Sequence, residues 1–268
     1  MKEKPDTKDI IRSVVRTFKL LDIISKNGKI GVTELSKLSD IPKTTVVRIL
    51  NTLKEINVVA QDSVTKQYYL WLPIYEMGRR VLDNFNIYES IRPFVKKFVL
   101  RENVDALVGV LDNAHVMYVD KYESESIYSI VVDIGTRIPL LAAASGISIL
   151  AYQTPEYRRK IFENSREFWL DPNKEPTFDY FEDVMTETRE NGYFIDKGYH
   201  KPGVCAVGVP IFNLDKEVKH SITFPQFISE IDPNELKLFA NRAKHLSYFL
   251  YEEIEKEYTA QTSRETRL

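Results

Sequence analysis

The apolar and polar positions in the first 72 residues have the periods of three helices followed by two strands. Val14, Phe18, Leu21 and Ile24 recur at helical spacing and form one apolar stripe. The stripe ends near Asn27-Gly28, a pair that is typical of a helix C-terminus. The sequence therefore predicts a first helix of about three turns.

Residues 32–48 predict two further short helices joined by a tight turn. Leu35 and Leu38 lie three positions apart on one apolar face, and the Thr33 hydroxyl is expected to cap the start of that helix. In the turn, Asp40 tolerates the left-handed backbone conformation, and the proline two residues later cannot continue a helix. Two short helices joined in this way have the outline of a helix-turn-helix.

The helix after the turn is predicted to have an apolar face and a polar, basic face. Its apolar face comprises Val46, Ile49, Leu50 and Leu53. Its polar face comprises Lys43, Thr44, Thr45, Arg48, Asn51 and Thr52. Arginine can donate two hydrogen bonds to a guanine, and threonine can bond a phosphate or contact a thymine methyl group. The polar face predicts contact with a DNA major groove; the alternative is an ordinary amphipathic helix with a solvated face.

Two strands are predicted at Val58–Gln61 and Gln67–Leu70, on either side of the polar loop 62–66. With three helices before it, this hairpin completes a winged helix over residues 1–72. Lys66 lies at or near the tip of the wing, from which a cation can reach a phosphate.

Charge divides the chain at the same place. Residues 1–72 contain 13 Lys and Arg against 8 Asp and Glu, whereas the remainder contains 24 against 31. The net charge of −2 therefore combines a basic module of +5 with an acidic body of −7. Such asymmetry is expected when one module contacts nucleic acid.

A linker helix is predicted at residues 73–87. Ile74, Met77, Val81 and Phe85 recur along it. This stripe either pairs with a second copy of itself or packs on its own domain, and the sequence leaves both alternatives open.

A second domain is predicted at residues 88–257, followed by a disordered tail at 258–268. Its predicted strands are 106–110, 116–120, 127–132, 204–212 and 218–224. Its predicted helices are 88–101, 145–152, 155–163, 178–191 and one that begins near residue 233. Strands grouped and flanked by helices predict an α+β domain around a largely antiparallel sheet.

Composition limits the setting of the protein. A length of 268 residues suits about two domains, and 43% hydrophobic residues suffice for compact cores. The charged N-terminus resembles no signal peptide, and no apolar run is long enough to span a membrane. A single cysteine, Cys205, excludes an internal disulfide and favours a cytoplasmic location.

Three ordered segments resemble the IclR-type bacterial transcriptional regulators: VTELSKLSDIPKTTVVRILNTL, GTRIPLLAAASGISILAY and ENGYFIDKGYHKPGVCAVGVPIFN. The resemblance runs from about Val14 to Ile254. In this family an N-terminal winged helix precedes a ligand-sensing domain similar to GAF modules. The resemblance implies a repressor of a metabolic operon that binds double-stranded DNA at a palindromic operator as a homodimer or a dimer of dimers. It also implies a response to a small metabolite, often a carboxylate.

The resemblance implies site residues as well. On the recognition helix, Thr44, Thr45 and Arg48 fall at operator-contacting positions, and Lys43 and Lys66 complete the expected DNA-contacting set. The expected effector-binding set is Ala144, Ser145, Gly146, Asp196, Cys205, Ala206 and Thr223. Backbone amides and a hydroxyl near Ser145 would suit a carboxylate, although Ser145 could equally be a plain helix cap.

The second domain departs from the family pattern at three positions. Ala206 stands at the usual cysteine position, with Cys205 one residue earlier, and Pro225 stands at a second hydroxyl position. Ile147 stands where many members have lysine. These changes predict a less polar pocket than that of members that bind small keto acids.

Two alternatives belong to other classes of protein. Cys205 and His200 could form a thiol nucleophile pair, which would make the second domain an enzyme tethered to DNA. The winged helix could also be a protein-interaction module without a DNA role. No cofactor and no metal site is expected, because the four histidines and one cysteine have no metal-ligand spacing.

Overall fold

The computed structural model describes most of the chain, namely residues 10–83, 87–126, 130, 132–165, 171, 173, 176–198 and 201–265. Contacts divide the chain into two compact units, residues 1–86 and 87–268. Each unit has a hydrophobic core of its own. No helix in the described ranges combines the length and the apolarity that crossing a bilayer requires.

The first unit is a winged helix followed by one more helix. Its elements are α1 (Arg12–Asn27), α2 (Val32–Ser39), α3 (Lys43–Glu55), β1 (Val59–Gln61), β2 (Tyr68–Leu70) and α4 (Leu72–Asp83). The antiparallel hairpin pairs Ala60 with Tyr69. Leu20, Leu35 and Leu50 bring the first three helices into one core, where all three are fully buried. The predicted winged helix is confirmed.

The turn between α2 and α3 has the predicted conformation. Asp40 adopts a left-handed backbone with φ 53° and ψ 37°. The Ser36 hydroxyl donates a 2.7 Å hydrogen bond to the carbonyl oxygen of Ile41. Pro42 lies directly before α3, where its fixed φ costs no helical hydrogen bond. The turn therefore holds α3 in a defined orientation against α2.

The predicted cap of α2 is wrong. The helix begins after Gly31, which has an extended backbone and no side-chain cap. The Thr33 hydroxyl instead accepts a 2.9 Å hydrogen bond from Lys43 Nζ at the start of α3. Thr33 lies two residues past the cap position at Gly31, and a long lysine side chain reaches it across the turn.

The predicted apolar stripe of α1 is only half buried. Ile24 is fully buried and Leu21 packs against the core, whereas Val14 and Phe18 are 49% and 68% exposed. Leu20, which the predicted stripe does not include, is also fully buried. The first two turns of α1 extend beyond the end of the core. Periodicity shows which side of a helix is apolar, but it does not show where the covering core ends.

The segment predicted as a linker helix is helical as far as the structure describes it. α4 covers Leu72–Asp83, and Ile74 packs against the core of the first unit. Tyr75 and Met77 on the same helix are exposed. Phe85, which was predicted to continue the stripe, lies outside the described residues.

The second unit is an α+β domain around a six-stranded antiparallel sheet. Its elements are α5 (Ile87–Glu102), β3 (Ala106–Asp112), β4 (His115–Tyr122), β5 (Arg137–Pro139), α6 (Ala144–Leu150), α7 (Pro155–Asn164), α8 (Phe178–Asn191), β6 (Phe194–Asp196), β7 (Val204–Phe212), β8 (Val218–Phe227) and α9 (Pro233–Glu265). The strand order is β5-β4-β3-β8-β7-β6. The predicted fold class is confirmed.

Helices cover both faces of this sheet. α5 and α9 bury one face, where Val99, Phe224 and Ala243 belong to one hydrophobic cluster. α6 lies on the other face, and α7 and α8 cover it in a second cluster that includes Ile149 and Phe181. A residue of β3, β4, β7 or β8 therefore faces either the α5–α9 side or the α6 side.

One prediction for this unit does not match the structure. The disordered tail was predicted from residue 258, but α9 continues through Glu265. A polar segment can remain helical when it extends a helix that already exists, because it then avoids the cost of nucleation. The strand predicted at 127–132 falls mainly outside the described residues.

Candidate nucleic-acid interface and ligand site

The polar residues of α3 form one exposed side of the winged helix. Thr44 and Arg48 lie one helical turn apart and are exposed, and Thr45 beside them is half-buried. Lys43 is also exposed, but its Nζ is directed back toward Thr33 by their hydrogen bond. The predicted DNA-contacting residues of α3 are therefore close together at its N-terminal half.

A groove between α1 and α3 adjoins this side of the recognition helix. Its volume is about 440 Å³, and α1 contributes Ser13 and Arg16 to its walls. The residues from α3 are Thr45, Arg48, Ile49, Asn51 and Thr52. The prediction from sequence missed Ser13 and Arg16. Both lie on the same side of α1 as the buried residues Leu20 and Ile24.

The wing is a tight loop built around Asp62. Its carboxylate accepts hydrogen bonds from the amides of Val64 and Thr65 at 3.0 and 2.9 Å and pairs with Lys29 Nζ at 2.7 Å. These contacts, led by that of Lys29, hold the pKa of Asp62 well below its usual range. Lys66 is exposed at the end of this loop, with a left-handed backbone.

Strand pairing shows which side chains face α6. A Cβ atom added at Gly208 would overlap the carbonyl oxygen of Ala144, so Gly208 lies directly beneath α6. Thr223 pairs with Gly208 across the strands, and cross-strand partners share a face of the sheet. Ala206 lies two residues from Gly208 on the same face, and Asp196 pairs with Ala206.

Gly109 marks the same face on the other half of the sheet. A Cβ atom there would lie 3.7 Å from Ser145 Cβ and 3.5 Å from Ser221 Oγ. Gly109 pairs with Ser221 on one side and with Tyr118 on the other. Tyr118 and Ser221 therefore join the ligand-site residues expected from sequence, although neither belongs to that expected set.

Hydroxyl groups meet at the start of α6. The hydroxyls of Tyr118 and Ser145 are 3.1 Å apart and form a hydrogen bond in which either could donate. Ser145 is fully buried and Tyr118 is 3% exposed. Burial raises the pKa of the Tyr118 hydroxyl, so this group stays neutral. Ala144 and Gly146 flank Ser145 and are equally buried.

Ser221 and Thr223 contribute two further hydroxyls to this face. They are 0% and 3% exposed. Neither hydroxyl has a hydrogen-bond partner among the described residues. A buried hydroxyl without a partner costs about 1–3 kcal/mol, and groups of this kind often belong to ligand or water sites. These two hydroxyls are the strongest sign of a ligand site in this unit.

Asp196 lies at the end of β6 and is half-buried. Its carboxylate accepts a 2.9 Å hydrogen bond from the amide of Gly198, which is a local turn contact. Asp196 therefore closes a local turn, on the same sheet face as Ala206 and Thr223.

Cys205 does not face α6. Successive strand residues point to opposite faces, so Cys205 lies on the α5–α9 side, together with Val207. Its Sγ donates to the carbonyl oxygen of Gln226 at 3.5 Å, and burial raises the pKa of the thiol. His200, the other half of the expected Cys/His pair, lies outside the described residues. Within the described residues, no group of three or more His, Cys, Asp or Glu could hold a metal ion.

Comparison with known proteins assigns both units of the chain to one family. The description "IclR helix-turn-helix domain" matches residues 13–63, and "Bacterial transcriptional regulator IclR C-terminal" matches residues 79–248. The HTH-type transcriptional regulator KdgR of Escherichia coli (strain K12) is 28% identical over 205 residues, which cover 76% of this chain and 78% of KdgR.

Solved structures show the same fold. An IclR transcriptional regulator from Alicyclobacillus acidocaldarius aligns with a TM-score of 0.73 at 24% identity, and it covers 91% of this chain and 99% of its own. An IclR homolog from Microbacterium hydrocarbonoxydans, complexed with 4-hydroxybenzoate, aligns with a TM-score of 0.78 at 14% identity and the same coverage. Because one family description alone matches more than half of the residues, the chain belongs to the IclR family of ligand-responsive bacterial transcriptional regulators.

Proposed function

We propose that this chain represses a metabolic operon in the bacterial cytoplasm by occupying a palindromic operator, and that a small metabolite bound beside α6 changes this occupancy. The observation that carries the proposal is the exposed pair Thr44 and Arg48 on the recognition helix of a complete winged helix. A protein bound in this way blocks access to the DNA that it covers.

The proposed DNA contacts divide into two kinds. Arg48 and Thr44 are placed to contact base edges, because they are exposed on the N-terminal half of α3. Thr45, Lys43 and Lys66 are placed to contact phosphates, which fix position without reading sequence. Lys43 must leave its hydrogen bond to Thr33 to do so.

Replacing Arg48 by alanine tests the DNA contacts. If Arg48 binds a guanine, specific binding weakens by about 1–3 kcal/mol and discrimination at one base pair is lost. The measurement is a titration with an operator recovered by selection from random duplexes, and with a scrambled duplex. Lys54→Ala is the matched control, because Lys54 lies near the other end of α3 and contacts Gln61. Equal losses for both variants would contradict the proposed reading of bases.

A second copy of the chain is the proposed partner of α1. Five apolar residues near its N-terminus are 43–68% exposed: Ile10, Ile11, Val14, Val15 and Phe18. A contiguous apolar face of this kind marks an interaction site. Pairing through it gives a homodimer with two recognition helices, which matches the symmetry of a palindromic operator, and dimers could pair again into tetramers.

The proposed effector site lies between α6 and the sheet. From the expected set we retain Ala144, Ser145, Gly146, Asp196, Ala206 and Thr223, and we add Tyr118 and Ser221. We omit Cys205, because it faces the other side of the sheet. The retained set contains no cationic side chain, so hydroxyls and the first amides of α6 would provide the donors for a carboxylate or hydroxyl ligand.

Replacing Thr223 by valine tests this site. Without ligand, stability should stay unchanged or rise, because the substitution removes a buried hydroxyl that has no partner among the described residues. The rise in melting temperature caused by the effector should disappear. The measurement is thermal denaturation against a panel of sugar acids, keto acids and aromatic acids, including 4-hydroxybenzoate.

Thr154→Val is the matched control for this test. The Thr154 hydroxyl caps α7 by accepting from the amide of Tyr157, so its loss should cost about 1 kcal/mol and leave the ligand response intact. A Thr223→Val protein that keeps the full response would contradict the site. Ligand binding can alter operator affinity only if the ligand binds the DNA-competent and the DNA-incompetent states with unequal affinity. Typical coupling free energies of about 1–3 kcal/mol change the operator affinity roughly 5- to 150-fold.

We propose no catalytic activity for the second unit. A nucleophilic cysteine needs a lowered pKa, whereas burial raises the pKa of Cys205. The family relatives are transcriptional regulators, which supports the same view. The interaction-module alternative predicts that Arg48→Ala disturbs partner assembly in a protein that has no DNA affinity to lose.

A further inference from the structure

The N-terminal end of α1 extends past the core of the winged helix and has two different sides. One side carries the exposed apolar residues, including Val14 and Phe18. At 3.6 residues per turn, Ser13 and Arg16 lie about half a turn around the helix from them. Ser13 and Arg16 line the groove against α3. The same two turns thus present one face to the proposed partner copy and the other to the recognition helix.

The groove has the chemistry of an anion site. Two of its residues, Arg16 and Arg48, are guanidinium cations from different helices, and Ser13 and Thr45 add hydroxyls. None of the lining residues is acidic. Within the described part of the chain, neither arginine forms an ion pair with a carboxylate. Guanidinium groups bind phosphate oxygens through paired hydrogen bonds, and hydroxyls bind them singly.

The position of the groove beside α3 indicates which anion it would bind. Arg48 and Thr45 belong both to the groove and to the polar side of α3 that we propose as the DNA-contacting face. An anion held there would adjoin the major groove that α3 enters. Phosphates of the DNA backbone flank a major groove and carry a full negative charge each.

We propose that Arg16 and Ser13 of α1, together with Thr45 of α3, bind one phosphate of the DNA backbone in each half-site, beside the Arg48 side chain that we assign to a base edge. α1 is then a second DNA-contacting element beside the recognition helix. This inference rests on the proposed DNA contact of α3. A phosphate contact of this kind also fixes the position of α1 on the duplex. The apolar face of α1, and with it the partner copy, is fixed by the same contact.

The test is the salt dependence of DNA binding by the full-length protein. Affinities of the wild type and Arg16→Ala are measured between roughly 50 and 200 mM KCl, on the selected operator and on a scrambled duplex. Each phosphate neutralised contributes about 0.9 to the slope of log affinity against log salt. Arg16→Ala should therefore lower the magnitude of the slope by about 1 per protomer and weaken both duplexes alike, by about tenfold at roughly 0.1 M salt.

Lys19→Ala is the matched control, because it removes one exposed positive charge from the same helix outside the groove. Lys19→Ala changes only the long-range electrostatic attraction to DNA. It should leave the slope of log affinity against log salt nearly unchanged. Arg16→Lys keeps the positive charge but lacks the paired hydrogen-bond donors of the guanidinium group. It should therefore recover the wild-type slope but only part of the wild-type affinity. Alanine favours helix at position 16, and circular dichroism of each variant checks that α1 is intact.

Equal slopes for Arg16→Ala and Lys19→Ala would overturn the inference. So would an Arg16→Ala protein that loses operator affinity but keeps its affinity for the scrambled duplex, because a backbone phosphate is present in both. A wild-type protein that binds neither duplex would instead overturn the proposed DNA contact of α3, so the two failures are distinguishable.

Discussion

Replacing Glu182 by alanine is expected to lower the free energy of unfolding of the second unit by about 3 kcal/mol. The Glu182 carboxylate accepts hydrogen bonds from Nε and Nη2 of Arg158 at 2.8 and 2.7 Å, and Nη1 of Arg158 donates to the carbonyl oxygen of Gln153. Arg158 is 8% exposed, so the substitution leaves its charge buried without the carboxylate that pairs with it. Urea denaturation measures the loss.

Two further variants make this prediction specific. Glu163→Ala alters an exposed carboxylate on the same helix as Arg158 and should change stability by less than about 0.5 kcal/mol. Combining Glu182→Leu with Arg158→Met should recover much of the loss, because neither charge then remains buried. A Glu182→Ala protein as stable as Glu163→Ala would show that the pair is solvated and that the prediction is wrong.

The Arg158–Glu182 pair matters for function because it joins α7 to α8. These two helices cover α6, the helix that carries the proposed effector contacts. α8 also contacts the end of α6 directly, since Arg189 Nη1 donates to the carbonyl oxygen of Ala151 at 2.7 Å. A ligand beside Ser145 would contact α6, so the layer above α6 is one route for its effect.

Local structure was predictable from the sequence because its causes are local. Helical spacing of Leu35, Val46 and Leu50 defines α2 and α3, and Asp40 with the nearby proline defines the turn between them. Each of these signals acts within a few residues. The recognition helix and its exposed polar side could therefore be identified before the structure.

The ligand site could be predicted only in part, because its members meet through strand pairing. Ser221 and Tyr118 are brought beside Gly109 by the order of β4, β3 and β8, which no local pattern specifies. The opposite facing of Cys205 and Ala206 depends on the register of β7, and a shift of one residue would exchange them. Arg16 was missed for a similar reason, because its role depends on where the core of the first unit ends.

Acidification from pH 6.5 to pH 4 is expected to destabilise the second unit by about 3 kcal/mol through His220 alone. His220 is 6% exposed on β8, and its ring meets that of Tyr88 from α5 edge-on, with 5.4 Å between centroids. Burial first, and then the charge of Lys219, lowers the pKa of His220 from 6.5 to about 4. The folded protein therefore keeps this imidazole neutral under conditions in which the unfolded chain protonates it.

The sign of the effect follows from proton binding. Above pH 6.5 the imidazole is neutral in both states and stability does not depend on it. Between pH 6.5 and pH 4 the unfolded chain binds the proton and the folded protein does not, so the free energy of unfolding falls by about 1.4 kcal/mol per pH unit. His220→Phe keeps an aromatic ring against Tyr88 and removes the proton-binding site, so its stability should fall less steeply over this range.

Urea denaturation at several pH values compares the wild type, His220→Phe and the control His115→Gln, which alters an exposed imidazole. Carboxylates contribute to acid denaturation in all three proteins, so the difference between the curves isolates His220. Parallel curves for the wild type and His220→Phe would show that the folded protein admits a charged imidazole at this position. A flatter curve for His220→Phe would show that the contact between α5 and the sheet requires the neutral form of the imidazole.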